Sequence, residues 1–280
     1  MSQEVITRID ADGNASVMLN RPEVHNAFDP AMTRMLTASL EKLDADPKVR
    51  AVVLLGAGKS FCAGADIGHM KASAKFSRAQ NVKAAQESAR MFHTLYTLSK
   101  PTIACIHGAV RGGGVGLAAA CDIAIAARTA TFRLSEVKIG IIPSMISPYV
   151  IAAIGERQSR RFFISGEAFD AAEAWRIGLV HDIAEEESLT GTVGAMLSQL
   201  YSSGPKAMAA AKKLIGLSAH ANIDKNIVDE TARRIADIRA TAEGQEGLTA
   251  FLEKRKPNWV EPKKRAPQKN QKILVTDKHR

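Results

Sequence analysis

Short apolar runs that end in glycine alternate along the chain with segments of helical periodicity. The clearest runs are RAVVLLGAG (50–58) and PTIACIHG (101–108), and both are typical of strands buried on two faces. In PAMTRMLTASLEKLDAD (30–46), apolar residues recur at helical spacing directly after Asp29, which suits a helix N-cap. This alternation predicts a layered α/β fold.

The two ends of the chain extend this organisation. VITRI (5–9) and SVMLN (16–20) flank the turn DADGN and predict a hairpin, whereas residues from about 185 to 256 look helical throughout. The break near YSSGPKA (201–207) is the best candidate for a boundary between domains. We therefore expect a mixed α/β core over residues 1–200, a helical region over residues 201–259, and a basic, disordered tail over residues 260–280.

The composition is that of a globular protein. The 280 residues are 46% hydrophobic and 24% charged, which is enough to bury a sizeable core. The three cysteines, Cys62, Cys105 and Cys121, show no CxxC spacing and lie among small or apolar residues, so we interpret them as buried thiols in a reducing compartment. The first residues lack the pattern of a signal peptide and no window is long enough to span a membrane. We expect a cytoplasmic protein without a membrane partner.

The net charge of +9 raises the question of nucleic-acid binding. Residues 253–280 contain ten Lys or Arg against three Asp or Glu, so almost all of the excess charge lies in the tail. Basic ends rich in proline are usually solvated extensions, and we regard a nucleic-acid partner as the weaker interpretation. RNA binding through the tail, with the salt dependence of a polyanion contact, stays open as an alternative function.

Two glycine-rich corners carry the chemistry. RGGGVGLAAACDIAIA (111–126) and GAGKSFCAGADIGHM (56–70) each follow an apolar run and precede a helix. Glycine lets a ligand approach main-chain N–H groups, and a helix N-terminus adds positive potential. Two such corners on neighbouring strands would direct two N–H donors at one carbonyl oxygen, which is an oxyanion hole. Neither corner has the spacing of a phosphate-binding loop.

Five segments give the chain a family resemblance. In order they are LNRPEVHNAFD, GAGKSFCAGADI, KPTIACIHGAVRGGGVGLAAACDIAIA, FRLSEVKIGIIPSMISPYV and FLEKRKPNW. Over residues 4–259 they resemble the enoyl-CoA hydratase/isomerase (crotonase) superfamily, and in motif they are most similar to bacterial methylglutaconyl-CoA hydratase-like members. The resemblance implies an α/β spiral of ββα repeats with a helical C-terminal trimerisation region, and homotrimers or hexamers. It also implies acyl-CoA substrates, with no metal and no cofactor besides the CoA of the substrate.

The resemblance also assigns site residues. It places the oxyanion donors on the main-chain N–H groups of Ala65 and Gly113, and the general acid/base on Glu136. In the hydratases of this superfamily a second glutamate lies one turn into the helix after the three glycines, where this chain has Gly116. The residues that the resemblance assigns to CoA binding are Ala27, Ala63, Ala65, Asp66, Ile67, Gly68 and Gly113, with Phe251 and Lys254 acting on the CoA of a neighbouring subunit.

A single glutamate leaves two reactions open. Hydration adds water across the α,β double bond and needs that water to be held, whereas isomerisation needs one base only. Similarity to hydratases for branched or carboxylated enoyl-CoA favours hydration. Ser144 is a candidate for orienting water, and Arg111 for pairing with a second substrate carboxylate, although a turn hydroxyl and a solvent-facing arginine are the plainer interpretations. Asp122 matches a structural aspartate, and no Ser/His/Asp set with motif support suggests a serine hydrolase.

Overall fold

The computed structural model describes residues 3–219 and 221–260. The strands in these residues are β1 (Val5–Ile9), β2 (Asn14–Leu19), β3 (Ala51–Gly56), β4 (Thr102–Ile106), β5 (Ala109–Arg111), β6 (Ile123–Ala127), β7 (Thr131–Arg133), β8 (Ala168–Asp170) and β9 (Asp182–Ala184). The α-helices are α1 (Pro30–Ala45), α2 (Ile67–Ser73), α3 (Arg78–Thr97), α4 (Gly113–Ala120), α5 (Ser147–Ser165), α6 (Ala171–Arg176), α7 (Leu189–Ser202), α8 (Pro205–Ser218), α9 (Lys225–Ala240) and α10 (Ala242–Leu252). Single turns of 3-10 helix lie at Pro22–Val24, Glu136–Ile139 and Glu186–Ser188.

The larger sheet has the strand order β1-β2-β3-β4-β6-β9. β1 and β2 form the expected antiparallel hairpin, and the other neighbours pair in parallel. Every residue of β3 and β4 is buried, as expected for central parallel strands covered on both faces. Successive residues of β3 point into two separate apolar clusters, with Val52 and Leu54 in one and Val53 and Leu55 in the other.

Helices cover both faces of this sheet. The apolar face predicted for α1 is buried against the larger cluster, through Met32, Leu36, Leu40 and Leu43. The Asp29 carboxylate caps α1 by accepting a hydrogen bond of 2.9 Å from the Met32 N–H. On the opposite face, α7 packs its buried side against the smaller cluster.

A second, three-stranded sheet has the order β5-β7-β8. The chain passes through β4, β5 and α4, then through β6, β7 and α5, so each unit adds one strand to each sheet before its helix. This is the ββα spiral that the resemblance implies. Strands β5, β7 and β8 have three residues each, which is too short for period-2 alternation to identify them from sequence.

Two further segments complete the core. Between β3 and β4 the chain forms two helices, α2 and α3, because Ser77 and Gln80 build a capping box that starts a new helix. Strand β9 begins at Asp182, after a left-handed turn at Gly178. The C-terminal segment is helical as expected, with breaks after Ser202 and after Ser218.

The last three helices have little buried surface in the single chain. α8 and α9 contain no buried residue, and α10 buries only Ala250. Phe251 and Leu252, at the end of α10, are 80% and 78% exposed. The division at residue 200 and the trimer stay predictions. The basic tail beyond residue 260, and with it the RNA alternative, lies outside the described residues.

Cys62, Cys105 and Cys121 are free and buried, as expected. Burial raises the pKa of Cys62 to about 12 and that of Cys105 to about 11, so both thiols stay protonated and unreactive. None of the described helices is long and apolar enough to cross a membrane. Among the same residues, no three His, Cys, Asp or Glu side chains are grouped to hold a metal ion.

Asp122 joins the core to the C-terminal helices. Its Oδ2 atom accepts hydrogen bonds from the Thr102 N–H (2.7 Å), the Thr102 hydroxyl (2.9 Å) and Lys212 Nζ of α8 (2.7 Å). The carboxylate therefore holds the start of β4 and an otherwise weakly packed helix together. This geometry agrees with the structural role expected for Asp122.

We expect Asp122→Ala to lower the free energy of unfolding by about 1–3 kcal/mol, because it leaves the Thr102 donors without their acceptor and the Lys212 charge without its carboxylate. Urea titration followed by circular dichroism measures the loss. Asp237→Ala, at an exposed site on α9, is the matched control and should change stability by less than about 0.5 kcal/mol. Equal effects of the two variants would contradict the role assigned to Asp122.

Candidate active site

Hydrogen bonds place the two glycine-rich corners side by side. The Cys62 N–H donates to the Ala109 carbonyl at 3.3 Å, and the Arg111 N–H donates to the Cys62 carbonyl at 2.9 Å. We call residues 56–70 the first corner and residues 111–126 the second corner. The chain around Cys62, in the first corner, therefore runs along β5, which leads into the second corner. A Cβ on Gly114 would come within 2.4 Å of the Cys62 carbonyl oxygen, so the absence of a side chain allows this close approach.

The pairing of Phe28 with Ala65 determines on which side of the strand the main-chain N–H of Ala65 lies. Phe28 pairs with Ala65 in a parallel β-bridge. The Phe28 N–H donates to the Gly64 carbonyl (2.8 Å), and the Asp66 N–H donates to the Phe28 carbonyl (3.1 Å). Since peptide groups alternate in direction along an extended strand, the N–H of Ala65 points away from Phe28. Among the described residues it has no acceptor, and Ala65 itself is exposed.

Gly113 supplies the second donor. It is the first residue of α4, so its N–H has no acceptor within the helix, and no other described residue accepts from it. A Cβ placed on Gly64, the residue before Ala65, would lie 3.5 Å from the Gly113 nitrogen, so the segment that contains Ala65 lies across a short gap from Gly113. A Cβ on Gly113 would meet Phe28 Cζ at 2.2 Å, which explains why this position is glycine.

Glu136 lies beside the same gap. Strand β7 pairs with β5, and the Gly112 N–H donates to the Arg133 carbonyl at 2.9 Å, which brings the turn after β7 to the glycines. A Cβ on Gly112, whose φ is +48°, would lie 3.0 Å from Glu136 Oε1. Glu136 Oε2 is buried and has no hydrogen-bond partner among the described residues. Burial raises the pKa of Glu136 above its ordinary value, against a weaker opposing hydrogen bond from its own main chain.

The position of the missing second glutamate is filled. A Cβ on Gly116 would meet Ile146 Cγ2 at 2.1 Å and Phe92 Cε1 at 3.1 Å, and both side chains are almost fully buried. A glutamate at this position has no room unless Ile146 moves. Among the described residues, Glu136 is therefore the carboxylate next to the three glycines. The apolar side chains of Ile146 and Phe92 occupy the place where the superfamily's hydratases have the second one.

The loop expected to bind CoA is mostly open to solvent. Ile67 is 71% exposed, and Gly68 is exposed too. Asp66 caps α2 by accepting from the His69 N–H at 3.0 Å. Burial would raise the pKa of Asp66, but the His69 amide and the Arg21 charge together hold it below its usual value.

Ala63 and Ala27 lie behind this loop. The Ala63 N–H donates to the His25 carbonyl at 2.9 Å, and the Ala27 N–H donates to the Val24 carbonyl at 3.1 Å. Ala27 is buried and its carbonyl accepts from Arg21 at 2.7 Å. Their predicted contacts with CoA stay predictions.

Arg111 and Ser144 have different surroundings. The Arg111 guanidinium donates to the Thr131 carbonyl (2.6 Å) and hydroxyl (2.9 Å), so it is tied to β7. The Ser144 side chain is exposed and has no hydrogen-bond partner among the described residues, whereas its carbonyl accepts from Ser147. Neither is brought into contact with Glu136, and both roles stay predictions.

Phe251 and Lys254 lie apart from the other site residues. Lys254 adopts a left-handed φ of +54°, and the Arg255 N–H donates to the Ala250 carbonyl at 2.9 Å, which is the Schellman motif that ends α10. Within the described part of the chain neither residue contacts the two corners. This placement is compatible with their predicted action on a neighbouring subunit, which stays a prediction.

Three apolar residues of the site are absent from the sequence prediction. Phe28 covers Gly113, and Ile146 and Phe92 fill the space at Gly116. Phe28 lies inside the HNAF motif, which is part of a segment that carries the family resemblance, so the sequence contained a signal that this residue belongs to the site. Nothing in the local sequence pairs Phe92 or Ile146 with Gly116, since all three come from separate helices or turns.

Two main-chain N–H donors near a partly buried carboxylate can polarise a carbonyl group and transfer a proton at a neighbouring carbon. The fold and the candidate site are thus typical of a class of enzymes that use acid–base chemistry. The model of the enoyl-CoA hydratase/isomerase family matches residues 11–263. The chain therefore belongs to this family, the crotonase superfamily.

Individual relatives agree with this assignment. The crystal structure of an enoyl-CoA hydratase from Shewanella pealeana has a TM-score of 0.89 at 40% identity, over 92% of this chain and 96% of that one. Pseudomonas aeruginosa AtuE has a TM-score of 0.89 at 36% identity, over 92% of this chain and all of that one (100%). Short-chain-enoyl-CoA hydratase from Clostridium acetobutylicum is 31% identical over 251 residues, which are 89% of this chain and 95% of the relative.

We expect Gly116→Ala to destabilise the protein by about 1–3 kcal/mol, because the added methyl group overlaps Ile146 in a packed core. Ile146→Ala removes the atoms that the new methyl group overlaps. Gly116→Ala should therefore lower the free energy of unfolding less when it is added to the Ile146→Ala variant than when it is added to the wild type. Thermal unfolding by calorimetry measures all four proteins.

Gly194→Ala is the control for this comparison. Gly194 is also helical, in α7, but a Cβ there meets nothing within 4 Å, so alanine should stabilise the protein by about 0.5–1 kcal/mol. If Gly116→Ala stabilised the protein as Gly194→Ala does, the close packing of Ile146 and Phe92 against Gly116 would be contradicted.

Proposed function

We propose that the protein is an enoyl-CoA hydratase, a lyase that adds water across the α,β double bond of an acyl-CoA thioester. The observation that carries the proposal is that Ala65 and Gly113, whose N–H groups have no acceptor among the described residues, lie on adjoining segments beside the Glu136 carboxylate. Family membership and the hydratase names of its relatives support it.

Hydration follows from these three groups. The thioester oxygen accepts hydrogen bonds from both N–H groups, which stabilise the negative charge that develops on it. Glu136 takes a proton from water while the water oxygen bonds to the β-carbon, and the resulting enolate is held by the two donors. The protonated Glu136 then returns the proton to the α-carbon. Its raised pKa suits a carboxyl group that must both accept and release a proton.

Isomerisation of the double bond is the second candidate, and the packing at Gly116 favours it. With Ile146 and Phe92 in the space of the other carboxylate, no second acidic side chain is available there to hold water. Glu136 alone can take a proton from the α-carbon of a 3-enoyl thioester and return it at the γ-carbon, through the same enolate. The hydratase names among the relatives favour hydration as the first choice.

The finer substrate and the assembly belong to the proposal as well. We take the acyl group to be branched or carboxylated, of the methylglutaconyl type, with Arg111 as the partner of its second carboxylate and Ser144 as the group that orients water. We take the enzyme to be a trimer or hexamer in which Phe251 and Lys254 contact the CoA of the neighbouring subunit. Their exposure at the C-terminal end of α10 and just beyond it supports this assignment, and a cytoplasmic location with no cofactor or metal completes it.

Glu136→Gln should lower the rate of hydration by about 10²–10⁴-fold, because glutamine keeps the shape but cannot carry the proton. The loss of ultraviolet absorbance of a conjugated 2-enoyl-CoA measures the rate, across straight, branched and carboxylated substrates. Glu187→Gln, at an exposed carboxylate, should leave the rate unchanged. Full turnover by Glu136→Gln would remove Glu136 as the base.

The pH profile should carry the signature of the same residue. Because burial favours the neutral form of Glu136, the carboxylate that acts as base forms only at a pH above the ordinary 4.5 of a glutamic acid. The acid limb of kcat/KM should therefore lie above that value and rise with pH. An acid limb at or below 4.5 would contradict the burial effect.

The two reactions separate when a 3-enoyl-CoA is supplied. A hydratase should convert it at least about 10-fold more slowly than it hydrates the 2-enoyl isomer, since its water would be placed for addition at the β-carbon. An isomerase should produce conjugated absorbance from the 3-enoyl-CoA and leave the 2-enoyl isomer without hydrated product. Mass spectrometry of the products distinguishes addition of water from migration of the double bond.

A further inference from the structure

Arg21 is the centre of a partly buried ion cluster behind the first corner. Its side chain is only 15% exposed and lies 3.1 Å from Asp66 Oδ2, 3.3 Å from Asp29 Oδ2 and 3.7 Å from Glu4 Oε1. It also donates through Nη1 to the Ala27 carbonyl at 2.7 Å. Nothing in the proposed chemistry uses a cation at this place.

The partners of Arg21 flank the Phe28–Ala65 bridge on both strands. Ala27 and Asp29 precede and follow Phe28, and Asp66 follows Ala65. One planar guanidinium therefore contacts both strands of the bridge from the side, Ala27 and Asp29 through Nη1 and Asp66 through Nη2, which a single ammonium group does less completely. The fully buried Asn26 also holds Arg21 in place. Its Oδ1 accepts from the main-chain N–H of Arg21 at 2.9 Å, and its Nδ2 donates to the Ser60 carbonyl at 2.7 Å.

Asp66 transmits the constraint to the donor. Its Oδ1 accepts from the His69 N–H, its Oδ2 pairs with Arg21, and its main-chain N–H donates to Phe28. The Ala65 N–H belongs to the peptide that joins Gly64 to Ala65, whose carbonyl accepts from the Phe28 N–H. The contacts of Asp66 fix the peptide that follows. Ala65 itself has an exposed side chain, and its N–H has no acceptor among the described residues. The direction of this N–H therefore depends on the two tethered peptides around Ala65, of which Asp66 fixes the second, more than on the packing of Ala65.

We propose that Arg21, acting through Asp66, is a positioning residue that directs the Ala65 N–H at the thioester oxygen. The inference rests on the proposed function, since the donor serves a thioester only in that reaction. Arg21 does not touch the substrate. Its effect is on the transition state, because an oxyanion donor that swings away binds the developing charge less well while the CoA moiety remains bound elsewhere.

Two matched variants test the inference. Asp66→Asn and Asp29→Asn each neutralise one carboxylate of Arg21, and in each the asparagine oxygen can still cap its helix, α2 or α1. We expect Asp66→Asn to lower kcat about 10–100-fold with KM changed less than about 3-fold. Asp29→Asn should leave both parameters near those of the wild type. Arg21→Gln should behave like Asp66→Asn, the double variant Arg21→Gln/Asp66→Asn should be no worse than either, and Arg21→Lys should recover part of the loss.

A bound chromophore reports the donor directly. We would bind a 4-dimethylaminophenyl-acryloyl-CoA, whose absorbance moves to longer wavelength when its carbonyl oxygen accepts hydrogen bonds. The wild type and Asp29→Asn should give the full shift, and Asp66→Asn should lose at least half of it. A change of stability alone does not alter this shift in the folded complex.

The outcomes separate this inference from the proposed function. If Asp66→Asn keeps the shift and kcat of the wild type, or if Asp29→Asn loses as much as Asp66→Asn, Arg21 only holds the fold together and the inference is wrong. If Asp66→Asn raises KM alone, Asp66 serves CoA binding instead and the inference is also wrong. If the wild type turns over no enoyl-CoA but shifts the chromophore and Asp66→Asn does not, the function fails while the positioning role stands.

Discussion

The bridge between Phe28 and Ala65 is the contact on which the site depends. Its two hydrogen bonds leave the Ala65 N–H on the side away from Phe28, and the Phe28 ring lies where a side chain on Gly113 would be. Phe28 thus fixes the side of the strand on which the Ala65 N–H lies and leaves room only for glycine at position 113. The two sheets supply the frame, because β5 carries one corner and hydrogen-bonds to the segment that carries the other.

The single carboxylate follows from packing as much as from sequence. Ile146 and Phe92 occupy the space next to Gly116 as parts of a continuous apolar cluster that also contains Val115 and Leu117. Restoring a glutamate would require a charge in this cluster or a rearrangement of the turn before α5, and an unpaired buried carboxylate is costly. Burial of the Glu136 carboxylate raises its pKa.

Much of the fold was predictable from the residues alone. The buried strands β3 and β4, the first hairpin and the face of α1 follow from periodicity, and Asp29 gave the start of α1. The three-residue strands of the second sheet did not, because elements this short have no period and depend on pairing with distant segments. The motifs gave the positions of Ala65, Gly113 and Glu136, but not Phe92 and Ile146, whose contact with Gly116 exists only after the helices pack.

Main-chain donors change what a sequence can reveal about a site. The proposed chemistry of Ala65 and Gly113 uses no side-chain atom, so the identities of these residues are set by space: alanine at an open position, and glycine under a phenyl ring. The information that orients the donors therefore lies in residues without chemistry of their own, such as Phe28 and the Arg21 cluster. An arginine enclosed by three carboxylates next to the site is costly to desolvate. We infer that this cost is retained because the cluster fixes the segment that carries the Ala65 N–H.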